Sequence, residues 1–181
     1  MNEALWYLAR GTGTVSLVLL TLVVALGIAG RSGRPLPGLP RFAVAAVHRN
    51  AALYAVVLLA VHVTTLLLDP YAQLRLVDVV VPFIGNHRPL WQGLGTLAFD
   101  LILALVATSL LRHRLGVRSW RAVHWLAYAA WPFALLHGLF NGTDAGLGWF
   151  RLLSAACAAV VASAVIWRCT ERFTELAGAR R

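Results

Sequence analysis

Four histidines lie inside long apolar runs of this sequence, in two pairs with nearly equal spacing. His48 and His62 are 14 residues apart, and His124 and His137 are 13 residues apart. On an α-helix these spacings span roughly 20 Å, so each pair places one imidazole toward each side of a hydrocarbon core about 30 Å thick. Ionisable groups in lipid are costly and indicate a functional site. Because imidazole is an axial ligand of iron porphyrin, the pattern predicts heme sites at two depths.

The helical geometry of the two pairs predicts which histidines face each other. Fourteen helical steps fall only about 40° short of four turns, so His48 and His62 leave one face. The 13-residue pair falls about 140° short, and Pro132 between its members predicts a kink or a local rewinding. The two helices run parallel, because one helix separates them. We therefore expect His48 level with His124, and His62 level with His137, each couple holding one b-type heme on facing helices.

Such ligands need membrane-crossing helices, and the composition provides them. The 181 residues are 60% hydrophobic and only 13% charged, which is more apolar than a typical soluble domain. Five apolar runs are long enough to cross a bilayer. A signal peptide is the alternative interpretation of the first run. We predict a single-domain all-α membrane protein, a bundle of five transmembrane helices at about 5–29, 42–68, 91–111, 120–140 and 147–167.

The distribution of arginine predicts the orientation of the bundle. The 16 basic residues outnumber 7 acidic ones, and ten of the 16 cluster in alternate connections and in the tail. This fits the positive-inside rule better than a nucleic-acid footprint, and no nucleic-acid partner is expected. The N-terminus is predicted outside and the C-terminus in the cytoplasm of a bacterial cell, with His48 and His124 toward the inner side. The arginines that carry this prediction are Arg31, Arg34, Arg41, Arg112, Arg114, Arg118, Arg168, Arg172, Arg180 and Arg181.

The longest connection, residues 69–90, contains a short apolar stretch that is interrupted by Asp78 and Pro82. The stretch is too short to cross the bilayer, and we expect an interfacial helix that covers the outer face. His87 in this connection and His113 among the arginines are expected to be solvated rather than to bind iron.

The paired histidines resemble those of the ferric reductase-like transmembrane domain, which ferric reductases, NADPH oxidases and the heme subunit of a bacterial methionine sulfoxide reductase system share. The resemblance rests on the H-x13-H and H-x12-H spacings and on four shorter matches: His48-Arg49, W-R-x-x-H at Trp120–His124, His137-Gly138, and W-x-x-x-R at Trp6–Arg10. It implies two b hemes ligated by the four histidines, with electrons passing from the inner heme to the outer one.

The resemblance also implies that other proteins supply and accept the electrons. Only about 14 residues follow the fifth run, without a G-x-G-x-x-G motif, so no flavin site is expected within this chain. A separate flavin reductase or a quinol is the expected donor. Ferric chelate, dioxygen, a quinone and a protein partner are all compatible extracytoplasmic acceptors.

Two alternatives to a cytochrome fed by a flavoprotein are compatible with the sequence. One is a quinol-linked heme subunit that feeds a periplasmic reductase. The other is a heme-free metal-ion transporter, which should place carboxylates near the histidines. Asp100 is the only acidic residue deep inside an apolar run, which disfavours the transporter.

Three further charged residues are candidates for cofactor binding. By the resemblance, Arg10 would contact an outer heme propionate or lie beside the acceptor; the alternative is an arginine that snorkels to the interface. Asp100 would pair with Arg10 or accept a hydrogen bond from a histidine Nδ1. Arg49 would meet the inner propionates or a lipid phosphate.

Overall fold

Helices form almost all of the chain, as its apolar runs predict. The computed structural model describes residues 3–32, 38, 40–170 and 173, and no β-strand occurs among them. A short 3-10 turn, Thr143–Gly146, precedes the last helix. The helices are α1 (Glu3–Arg31), α2 (Arg41–Leu68), α3 (Leu76–Val80), α4 (Pro89–Leu110), α5 (Arg112–His124), α6 (Ala127–Asn141) and α7 (Gly148–Cys169).

Proline sets several of the helix ends. α2 begins directly after Pro40, and it ends at Leu68, where the backbone of Asp69 turns to an extended conformation (φ −88°, ψ 110°). Pro70 explains this ending, because a proline drives the preceding residue out of the helical region. α4 has Pro89 in its first turn, where a missing N–H removes no hydrogen bond.

Four helices, α1, α2, α4 and α7, are long and apolar enough to cross a membrane among the residues that the structure describes. Large apolar side chains on them face outward: Leu53 of α2 is 61% exposed and Leu152 of α7 is 73% exposed. In water such surfaces would be costly, whereas lipid tails match them. The chain is therefore a multi-pass membrane protein whose helices contact lipid.

The fourth predicted helix, 120–140, is divided in the structure. α5 ends at His124 and α6, of 15 residues, begins at Ala127. The two residues between them keep right-handed helical angles: Trp125 has φ −63° and ψ −24°, and Leu126 has φ −64° and ψ −14°. The helical path continues through this junction, so the interruption divides the predicted helix without ending it.

The winding at this junction is tighter than that of an α-helix. The N–H groups of Leu126, Tyr128 and Ala129 each donate to a carbonyl three residues back instead of four. A 3-10 turn rotates about 120° per residue rather than about 100°, so it supplies part of the rotation that ideal geometry lacks between His124 and His137. The predicted rewinding exists, and it lies ahead of Pro132.

The arginine-rich connection before this helix is itself helical. Arg112, Arg114 and Arg118, predicted in a loop, lie on α5, which contains no buried residue. Gly116 interrupts its helical geometry with a φ of 77°, a value that glycine adopts without steric cost. Of the other arginines behind the predicted orientation, Arg34, Arg172, Arg180 and Arg181 lie outside the described residues.

α1 is the central packing partner of the bundle. It contacts α2, α6 and α7, while α4 packs against α6. A buried cluster of Trp131, Cys157 and Val161 joins α6 to α7, and Leu20 of α1 packs against it. The indole Nε1 of Trp131 donates to Thr21 Oγ1 at 2.9 Å, which ties α6 to α1. Two helix pairs result, α1 with α2 and α4 with α6, and each pair contains one histidine-bearing helix.

Residues 69–88, which we call the cover segment, fold over the start of α4. The buried Asp78 on α3 accepts two hydrogen bonds from the Arg75 guanidinium, at 3.0 and 2.7 Å, and Thr96 of α4 donates to the Asp78 carbonyl at 2.7 Å. A Cβ on Gly93 would lie 2.3 Å from the Phe83 ring, so α4 and the segment are in close contact. The expected short helix is present, although it contains only five residues.

Candidate functional site

The histidine pairs lie on helices that are backed by a second helix. His48 and His62 are on α2, which packs against α1, and His137 is on α6, which packs against α4. His124 is the last residue of α5. All four rings are half-buried, whereas His87 and His113 are exposed. The structure thus separates the four membrane histidines from the two predicted to be solvated.

His48 and His124 face each other across the bundle. Their ring centroids are 6.5 Å apart and the ring planes meet at 59°. An imidazole nitrogen binds a metal at about 2.0 Å and lies roughly 1.1 Å from its own ring centroid, so two imidazoles on opposite sides of one metal have centroids about 6 Å apart. The observed spacing fits one iron between the rings, and a twist between their planes is compatible with axial ligation.

His62 and His137 share one cavity. Both line a space of about 510 Å³, together with Gly13, Gly95 and Phe99. A cavity of this volume is within the range of small-molecule and cofactor sites. It extends to the cover segment, because Asp78 and His87 also line it.

Backbone carbonyls orient three of the four imidazoles. His48 Nδ1 lies 2.9 Å from the Val23 carbonyl and His62 Nδ1 lies 2.7 Å from the Ala9 carbonyl, both on α1. His137 Nδ1 lies 2.9 Å from the Trp91 carbonyl on α4.

These contacts fix the tautomer of each ring. A carbonyl oxygen can only accept, so Nδ1 carries the proton and Nε2 keeps its lone pair. Histidines that bind metals are typically held in this way, because a hydrogen bond from the other nitrogen fixes the ring and raises its basicity. The three imidazoles are therefore prepared to donate through Nε2.

His124 is held differently. Its Nδ1 is buried and has no hydrogen-bond partner among the described residues. Its ring instead packs on the indole of Trp120, with centroids 4.9 Å apart and planes at 31°. Trp120 Nε1 donates to Ser109 Oγ on α4 at 3.2 Å. The W-R-x-x-H match of the sequence thus corresponds to an aromatic support for the histidine.

Arg10 pairs with a residue that the sequence did not suggest. Its Nε donates to Asp144 Oδ2 at 2.8 Å, and a second guanidinium nitrogen contacts Asp144 Oδ1. The guanidinium also lies over the Trp6 ring, 3.9 Å from its centroid. Arg10 and Asp144 both line the cavity. The proposed partnership of Arg10 with Asp100 is therefore wrong, because the cation is already paired across the bundle.

Asp100 and Arg49 make no such contacts with other described residues. Asp100 is half-buried on α4, outside the residues that line the cavity, and no hydrogen bond or ion pair of its side chain occurs within the described part of the chain. The histidine Nδ1 atoms that it was expected to contact donate to carbonyls or, at His124, have no described partner. Arg49 is exposed. Cofactor binding by either residue stays a prediction.

Two arginines near the His48–His124 pair were not predicted as site residues. Arg31, at the end of α1, interacts electrostatically with His124. Arg121 lies three residues before His124, and its Nε is buried without a hydrogen-bond partner among the described residues. The sequence pointed to Arg31 only for the orientation of the bundle and to Arg121 only as part of the W-R-x-x-H match. That both lie near a histidine pair follows from the packing of the helices, which local sequence does not reveal.

The cover segment contributes a charged group beside the cavity. The hydrogen bonds from Arg75 hold the pKa of the Asp78 carboxyl below its usual value, against the opposing effect of desolvation. The carboxylate is therefore ionised at neutral pH, and the ion pair keeps the segment folded next to the cavity.

The donor set suits heme better than a bare ion. In the described residues, no three His, Cys, Asp or Glu side chains form a group that could hold a metal ion. Each site thus offers two imidazoles, which is the number that an iron already bound by four porphyrin nitrogens requires. The rings, their spacing and the cavity fit that cofactor.

The comparison with protein families agrees with this geometry. A family model for the ferric reductase like transmembrane component matches residues 12–135, which is more than half of the chain. The matched region contains His48, His62 and His124, and it ends two residues before His137. No curated protein and no solved structure matches the chain. On the basis of this match, the chain belongs to the ferric reductase like transmembrane components, and membership in this family suggests electron transfer across a membrane.

Proposed function

We propose that this protein is a diheme b-type cytochrome that carries electrons across the membrane, from a cytoplasmic flavoprotein to an extracytoplasmic acceptor. The observation that carries the proposal is the facing pair His48 and His124, whose ring separation of 6.5 Å suits one iron. The cavity between His62 and His137 supports a second site. His48 and His124 would hold one heme iron and His62 and His137 the other, and each iron would supply one-electron redox chemistry.

The residues around each pair would tune and shield the cofactor. The carbonyls of Ala9, Val23 and Trp91 strengthen the donation of three imidazoles. Arg121 and Arg31 beside His124 would bind the carboxylate groups of one heme, since guanidinium pairs readily with carboxylate. Arg10, whose charge Asp144 already balances, would hold the second heme from the cavity wall.

We further propose that the chain crosses the membrane five times. The helical angles at Trp125 and Leu126 support a continuous helical path from the end of α5 through α6. With α1, α2, α4 and α7, this path gives five crossings. The arginines of the alternate connections favour an N-terminus outside and a C-terminus in the cytoplasm, which makes the His48–His124 site the inner one.

Heme analysis tests the central claim. Purified protein should show a reduced b-type spectrum with about two hemes per chain, because four imidazoles in two pairs close two irons. His48→Ala and His62→Ala should each lose one heme. His113→Ala, at an exposed position outside the cavity, is the matched control that should keep both. A stable, folded preparation without heme contradicts the proposal.

The electron donor is tested on the same protein. In membrane vesicles, reduction of the hemes by a reduced flavoprotein added on the cytoplasmic face would support the flavoprotein route. Reduction by a short-chain quinol alone, at a higher rate, would instead favour the quinol-linked subunit. Absorbance at the α-band follows both reactions.

A further inference from the structure

The carbonyls that hold the imidazoles share a feature of sequence. Each one lies four residues before a glycine on the same helix. On an α-helix, the residue at i+4 is the next neighbour above residue i, and its Cβ borders the space around the carbonyl of residue i. The three carbonyl–glycine pairs are Ala9 with Gly13 and Val23 with Gly27 on α1, and Trp91 with Gly95 on α4.

Each glycine leaves room that its imidazole fills. A Cβ on Gly13 would lie 2.9 Å from His62 Nδ1 and Cε1, and a Cβ on Gly95 would lie 2.5 Å from His137 Nδ1. Both separations are below 3.0 Å, and real Cβ atoms essentially never lie that close to another heavy atom. In each case the atom that would clash belongs to the ring that the carbonyl binds.

Gly27 makes the same kind of contact with His48, but at a longer distance. Its Cβ would lie 3.3 Å from His48 Cε1, a separation that a small movement of the ring can relieve. Two other glycines of α1 differ: nothing lies within 4 Å of a Cβ on Gly11, and Gly30 would meet only Val44, at 3.9 Å. On α1 the close approach is therefore restricted to the two glycines that follow a histidine-binding carbonyl.

The order of these contacts follows the register of the helices. His48 and His62 are 14 residues apart on α2, and Val23 and Ala9 are 14 residues apart on α1, in reverse order. Antiparallel packing of two straight helices produces this correspondence. The same arrangement of a carbonyl, a glycine and an imidazole therefore occurs at two depths between α1 and α2 and once between α4 and α6.

We propose that Gly13, Gly27 and Gly95 are positioning residues for the heme ligands. Gly13 and Gly95 remove the side chain that would otherwise keep an imidazole from the carbonyl four residues earlier, and Gly27 spares His48 a tight contact of the same kind. In this way the glycines would direct Nε2 of each ring toward the iron. The proposal rests on the proposed heme function. His124 does not follow this arrangement, because its Nδ1 binds no carbonyl of the described residues and its ring packs on Trp120.

Alanine variants test the proposal, with Gly11→Ala as the matched control on α1. Gly13→Ala and Gly95→Ala should displace His62 and His137 and weaken heme retention at that site by about 10–100-fold, the usual effect of removing a partner of a metal ligand. The remaining heme should stay low-spin by electron paramagnetic resonance. Gly27→Ala should keep both hemes and change the low-spin signal of the His48–His124 site alone.

The spectroscopic result separates positioning from simple helix packing. If the glycines only allowed close helix contact, their variants would unfold at lower temperature with an unchanged low-spin signal, and this would overturn the proposal. Retention of both hemes by Gly13→Ala and Gly95→Ala, as in Gly11→Ala, would also overturn it. If these two variants do not fold, the signal of Gly27→Ala decides, because its contact is relieved without large movement.

The failure of the heme function itself would look different. In that case the unmodified protein contains no heme. ¹⁵N spectra of histidine in the heme-free protein then test the positioning directly. Three imidazoles should be protonated at Nδ1, and Gly13→Ala should remove that state from His62. Unchanged spectra in Gly13→Ala would contradict the proposal.

Discussion

At the scale of single residues, the four membrane histidines are supported in two ways. Three imidazoles bind a backbone carbonyl, whereas His124 depends on the indole of Trp120. A carbonyl is fixed by its helix, but a side chain can be replaced. His124 is therefore the one of the four ligands whose support is itself a replaceable side chain.

Trp120 allows a direct test of this difference. Trp120→Leu should loosen the His124 ring and lower the heme content of the His48–His124 site, leaving the other site intact. Ser109→Ala removes only the hydrogen bond to the indole and should cost about 1 kcal/mol of stability with both hemes retained. Heme analysis and thermal unfolding in detergent measure the two effects. Equal heme loss at both sites in Trp120→Leu would contradict the prediction.

The ion pair of Arg10 and Asp144 is the second residue-scale case. The Asp144 side chain is 8% exposed and that of Arg10 is 23% exposed, so removal of one partner leaves a poorly solvated charge. Asp144→Asn should lower the free energy of unfolding by about 1–3 kcal/mol. The double variant Arg10→Gln with Asp144→Asn should lose less than the sum of the single variants. Additive losses would show that the two side chains are not coupled.

These residues also show what the sequence can and cannot predict. Charge and periodicity identified Arg10 and the four histidines, because a polar residue within an apolar run can be recognised from the sequence alone. The partner of Arg10 was missed, since Asp144 lies 134 residues away and no local pattern relates them. The histidine contacts of Gly13 and Gly27 could have been predicted, because these glycines repeat the 14-residue spacing of His48 and His62.

At the scale of elements, the Arg75–Asp78 ion pair is a titratable part of the contacts that hold the cover segment. Hydrogen bonds from Arg75 lower the pKa of the Asp78 carboxyl, so the folded segment favours the charged form. This stabilisation is present above the ordinary carboxyl pKa of about 3.9 and is lost as the pH falls through the lower folded value. The backbone amides of the segment should therefore be equally protected from hydrogen exchange between about pH 5 and pH 8.

Hydrogen exchange of residues 69–88 checks this behaviour. Exchange, corrected for its intrinsic pH dependence, should rise only below about pH 4. Asp78→Asn should exchange faster throughout and lose the acid transition, because its side chain does not titrate. An acid transition of the segment that persists in Asp78→Asn would assign it to another group.

The helix boundaries illustrate the same limit at this scale. Apolar runs and prolines located α1, α2, α4 and α7 closely, because these ends are encoded locally. The junction at Trp125 and Leu126 was expected at Pro132 instead. Its 3-10 winding involves only a few hydrogen bonds, and the sequence around it contains no glycine or proline to mark it.

At the scale of the whole molecule, the arrangement of the bundle in the membrane is a prediction that labelling can test. The native Cys157 and Cys169 are free and would first be replaced by serine. Tyr71→Cys, at a position 68% exposed in the cover segment, should react with an impermeant maleimide in intact cells. Leu115→Cys, in α5 and 43% exposed, should react only after permeabilisation. The opposite pattern would reverse the proposed direction of electron flow.

The position of α1 in the chain has a consequence for biosynthesis. Both histidines of α2 bind carbonyls of α1, the helix made immediately before it. These two half-sites are therefore complete as soon as the first helical hairpin has inserted, while the ribosome is still translating the rest of the protein. We expect nascent chains that end after α2 to present both imidazoles already oriented, and cofactor loading to wait for the hairpin that brings His124 and His137.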